Sequence, residues 1–199
     1  MRAQDLTEEE FLQRVAEHQM LVLRDEGLYR HLRFRRPETI IDGFDIVTWP
    51  GHLCYTGDMG SFLFARSPDM FSFFRDTGSG PLHTSRDYWA QKAVAVDRNG
   101  IEKYDPCRLI DAVWSIVNSM DNLNDAEKDD LVGEATSAAY DGRDLATAKA
   151  LDTIPDLHDT LLDVSLMRWD YHFEWCCFAL PWAIRQYDAA MKAAARSDS

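Results

Sequence analysis

The sequence predicts an α+β fold in which an N-terminal antiparallel β-meander of about five strands packs against a mostly helical C-terminal part. Three observations carry that prediction. Between residues 20 and 65, strand-length runs rich in aromatic and β-branched residues alternate with turns built on Gly and Asp. Ser67-Pro68-Asp69 and Asp105-Pro106 each join an N-cap residue to a proline at a first helical position. The stretch from His158 to Leu180 is apolar on two opposite sides at helical period, as in a buried central helix.

Taken in order, Thr7-Glu8-Glu9-Glu10 is a capping box, followed by one apolar face of Phe11, Leu12 and Val15, so a first helix should end near His18. Met20 to Arg24 and Leu28 to Arg35 flank Asp25-Glu26-Gly27 and read as a hairpin. In the second of these strands Leu28, Arg30, Leu32 and Phe34 share one face, and Tyr29, His31, Arg33 and Arg35 share the other. Phe44 to Trp49, Leu53 to Thr56 and Ser61 to Ala65 complete the meander through turns at Pro50-Gly51 and Gly57-Asp58-Met59-Gly60. A helix with Met70, Phe71, Phe73 and Phe74 follows.

The segment 77–84, with two Gly and one Pro, is the expected flexible loop within a single domain spanning 1–199. It separates a part at 1–75, holding the first helix, the meander and the connecting helix, from a helical part at 76–199. Helices are expected from Ser85 through Trp89 and Val94, from Asp105 through Val117, and from Asn124 with Leu131, Ala135, Ala138 and Ala139 inward. A long helix should run from about His158 toward Phe178, where Pro181 kinks or restarts it.

The net charge of −13 sets the class of partner. Residues 1–75 hold nine Lys/Arg against twelve Asp/Glu, and residues 76–199 hold twelve against twenty-two, so the helical part carries −10. Such a surface repels nucleic-acid phosphates and anionic membranes, and it suits a basic partner. Four cysteines without a C-x-x-C pair, and an N-terminus with no apolar signal region, read as reduced thiols in a cytoplasm. No apolar run reaches the roughly 20 residues of a membrane span.

Three constellations are candidates for chemistry. Asp125, Asp129, Asp130 and Glu134 crowd the outward side of the Asn124 helix as a partner-binding acidic surface. Arg30, Arg33 and Arg35, with Asp45, Trp49, Tyr55 and Asp58 of the neighbouring strands and turns, form a candidate site for a nucleotide or small molecule; alternation puts Asp45 and Tyr55 on one rim. On the long helix Asp159, Asp163, Asp170 and Glu174 fall in one stripe, and Asp163, Asp170 and Glu174 are the weak metal candidates of a metal-dependent hydrolase. The P-loop, G-x-S-x-G, H-E-x-x-H and G-x-G-x-x-G patterns are missing, no catalytic residue is assigned, and no cofactor is called for. A Cys54–His52 nucleophile is poor, because residues two apart on a strand sit about 7 Å from each other.

The run Phe44-Asp45-Ile46-Val47-Thr48-Trp49-Pro50-Gly51, followed by Leu53-Cys54-Tyr55-Thr56-Gly57-Asp58-Met59-Gly60, resembles a family of uncharacterised proteins of tailed phages and prophages. The similarity covers roughly residues 20 to 75, takes in Arg24-Asp25, Tyr29-Arg30-His31 and Asp69-Met70-Phe71, and brings no catalytic residues with it. With the acidic helices, it implies a phage accessory protein in the cytoplasm of a bacterial host. The expected partner is a host protein, such as a nucleic-acid-binding defence complex that the protein inhibits in the manner of an anti-CRISPR. Direct contact with nucleic acid or membrane is not expected.

Overall fold

In the computed structural model, which describes residues 5–76, 78, 80–154 and 157–197, Thr7 caps α1 (Glu8–Val15) as the sequence predicts. The Thr7 hydroxyl accepts from Glu10 N–H, and the Glu10 carboxylate accepts from Thr7 N–H. Phe11 and Val15 are the buried side of this helix. The meander follows in chain order: β1 (Gln19–Glu26), β2 (Tyr29–Arg35), β3 (Phe44–Trp49), β4 (His52–Gly57) and β5 (Gly60–Ala65), every neighbouring pair antiparallel. Then come α2 (Met70–Phe74), capped by Asp69, and α3 (Arg86–Ala90).

Two departures follow from long-range pairing. The expected helix through Val94 stops at Ala90, and Ala93–Ala95 becomes β6, a sixth strand against β5. The helix expected from His158 to Phe178 is broken. Leu157–Asp163 forms α7, Met167–Trp169 forms β8, and a new helix, α8, runs from Tyr171 to Ser197. The break is stabilised by partners that the local pattern does not contain: β8 pairs with β7 (Glu102–Tyr104), Leu166 O accepts from Asp105 N–H at 2.9 Å, and Ser165 O accepts from the Arg108 guanidinium at 3.2 Å. The Asp170 carboxylate then caps α8 by accepting from His172 N–H. Pro181 lies inside α8, in a stretch buried from Phe173 to Pro181.

Contacts divide the chain into two compact units. Residues 102–168 form one, and residues 4–101 together with 169–199 form the other. The helical unit is thus inserted in the sequence of the sheet unit between Ile101 and Trp169. Of the loop expected at 77–84, Thr77 and Ser79 lie outside the described residues.

In the sheet unit, the inner face of the meander sets Leu32, Phe34, Phe44, Ile46, Leu53, Tyr55, Phe62 and Phe64 into one core with Phe11, Phe71, Phe74 and the α8 residues Phe173, Trp175 and Phe178. Trp182 meets Phe11, Phe34 and Phe44 edge-on at 5.5 to 6.2 Å. Each such contact contributes roughly 0.5–1.5 kcal/mol beyond burial.

The helical unit packs α4 (Pro106–Ser119), α5 (Asp125–Ala138), α6 (Arg143–Thr153) and α7 around Leu109, Val113, Val117, Ala135, Ala146, Ala150 and Leu157. The buried residues of this core on α5 and α6 are alanines, with Leu131, Val132 and Leu151 packed partly buried against it.

Candidate functional site

Strand β2 divides its arginines between two faces, and the division decides their use. Arg30 points inward, with its side chain 11% exposed. It donates to Asp69 at 2.9 Å, lies 3.9 Å from Asp25, and stacks over Phe71 with its guanidinium 4.6 Å from the ring centre. Tyr187 of α8 donates to Asp25 in the same cluster. Arg30 is therefore a tie between the sheet, the α2 cap and α8.

On the outer face Arg33 donates to both oxygens of Asp45 at 2.9 and 2.8 Å, and His31 Nε2 hydrogen-bonds the same carboxylate at 2.7 Å. Partial burial works to raise the Asp45 carboxyl, but the bonds from Arg33 and His31 outweigh it and hold the group below its ordinary range. Arg35 forms no ion pair among the described residues.

A depression of about 490 Å³ on this face gathers Arg33, Arg35, Asp45 and Asp58 beside Ile40. It does not include Trp49, which stacks on His52 at 5.1 Å. Tyr55 does not share a rim with Asp45. The register sets Tyr55 opposite Ile46 and Asp45 opposite Thr56, so Tyr55 is fully buried on the inner face. The hairpin turn adds a two-residue step that reverses the simple parity count.

The densest polar network of this unit was not legible from local sequence. Asp42, 2% exposed and left-handed at φ 60°, accepts from the Arg14 guanidinium of α1 through both carboxylate oxygens, and Arg36 lies 3.7 Å away. Arg14 also donates to the Tyr171 hydroxyl and lies over the Trp175 ring, its carbon 4.6 Å from the centre. Asp42 N–H donates to Asp58 at 2.9 Å, and the His18 ring meets Asp42 O at 3.0 Å. The one local hint is Asp42-Gly43, a turn pair behind two exposed isoleucines, Ile40 and Ile41.

Burial holds the His18 imidazole below its ordinary value, the Asp42 carbonyl opposing and Arg36 reinforcing the shift. The unfolded imidazole is then protonated first as pH falls. The stability it contributes is whole above about pH 6.5 and is lost as pH falls from there through the lower folded value. Thermal melts between about pH 7 and pH 5 should therefore show a shallower loss of Tm in His18→Gln than in the parent chain. Equal slopes would remove His18 from the account.

The metal candidates are dispersed over both units. Asp163 ends α7 of the helical unit, exposed to solvent, whereas Asp170 and Glu174 belong to α8 of the sheet unit. Glu174, 1% exposed, accepts from Leu6 N–H at 3.0 Å and lies 3.4 Å from Arg86, so it anchors the N-terminal segment. Among the described residues no group of three or more His, Cys, Asp or Glu is placed to hold a metal ion. Burial pushes the Cys54 thiol above its ordinary value, and His52 is turned toward Trp49, so neither gains from the other as a nucleophilic pair.

On the helical unit Asp125, Asp129, Asp130 and Glu134 are all exposed on α5. Asn124 begins that helix with a capping box closed by Glu127. Asp129, Asp130 and Glu134 line a depression of about 720 Å³ with Asp141, Asp152 and one cation, Lys149, which is bonded to Asp141 at 2.6 Å. Asp125 lies outside it. Residues 102–168 hold fifteen acidic against six basic side chains, which is −9 of the chain's −13. The helical unit also exposes Trp114, Tyr140, Leu145 and Leu162.

Comparison of the chain with protein-family models, with curated proteins and with solved structures found no match in any of the three. Among the described residues no helix is long and apolar enough to cross a membrane.

Proposed function

We propose that the chain is a binding protein whose inserted helical unit engages a basic surface on a host protein, as a phage-encoded inhibitor of a nucleic-acid-binding defence complex would. One observation carries this reading: residues 102–168 combine a charge of −9 with exposed Trp114 at 60%, Tyr140 at 68% and Leu162 at 72%. Exposed aromatics in a charged field are the composition of an interface, with the rings as anchors and the carboxylates supplying long-range attraction. Against the ligand site on β2 stands its spent charge, since Arg30 and Arg33 already hold Asp69 and Asp45.

The test is affinity capture from bacterial lysate at low ionic strength, followed by measured affinities for the captured partner. Asp129→Lys combined with Asp130→Lys and Glu134→Lys should weaken binding by at least about tenfold and flatten its salt dependence. Trp114→Ala should weaken it to a similar degree with the salt dependence kept. Duplex DNA should compete. A partner held equally by the triple variant, or indifferent to salt, would sink the proposal.

A further inference from the structure

We draw no further inference here: the strongest candidate, the apolar tip of the β2–β3 connection where Ile40 and Ile41 stand 76% and 56% exposed beside Arg35, carries nothing because nothing in the structure shows what covers it.

Discussion

Gly57→Ala is expected to lower stability by about 3 kcal/mol or more, the upper range for overpacking, although residue 57 is exposed. A Cβ at this position would lie 2.2 Å from Gly43 O and 2.7 Å from Phe44 Cα. Both are backbone, so no side chain can swing aside. Gly43 O is held by Asp58 N–H at 3.0 Å, and Gly43 N–H donates to Ile40 O at 2.9 Å. Relief of the clash would pull the turn that carries Asp42 away from Arg14. Urea denaturation of the two proteins measures the difference; a loss under about 1 kcal/mol would mean that β3 and β4 separate more easily than this packing implies.

Asp42→Ala should cost about 3–5 kcal/mol, because removing one partner leaves the Arg14 guanidinium partly buried without its carboxylate. The left-handed backbone at φ 60° adds about 1–2 kcal/mol for alanine. Asp42→Asn keeps an acceptor and a residue that tolerates this conformation, so it should lose clearly less. The pair of variants separates charge from backbone strain. If both lose equally, the ion pair is the whole effect; if Asp42→Ala is nearly neutral, the network is ornament on a core that holds without it.

These two positions show where the sequence was readable and where it was not. Thr7 with Glu10, Asn124 with Glu127, and Asp105 before Pro106 begin helices as read, because a cap is a contact among residues two or three apart. The five strands of the meander were equally legible, since alternation and turn residues are local. Val94 and Met167 were misread as helical because their strands are three residues long and depend on β5 and β7, partners distant in the chain. Asp42 gave little sign of its role, as its partners Arg14 and Tyr171 lie on α1 and α8 and the distance between them appears only in the fold. Of the candidate carboxylates on α5, Asp129, Asp130 and Glu134 line one depression, because residues four and five apart turn toward neighbouring sides of a helix, whereas Asp125 lies outside it. The β2 set divided because Arg30 and Tyr55 belong to the core face.

The insertion between Ile101 and Trp169 also sets a timetable for biosynthesis. The sheet is complete by Ala95, but its hydrophobic floor is α8, which begins at Tyr171. At about 5–20 residues per second, the ribosome spends roughly ten seconds on the intervening chain and α8. Through that interval the nascent meander has no α8 to cover Phe34, Phe44, Tyr55 and Phe62, while the helical unit, contiguous in sequence, can close around Leu109 and Val113 as soon as it emerges. A nonsense codon at the start of α8 therefore releases the complete acidic insert joined to a sheet that lacks its α8 floor, a product marked for proteolysis rather than a shortened working protein.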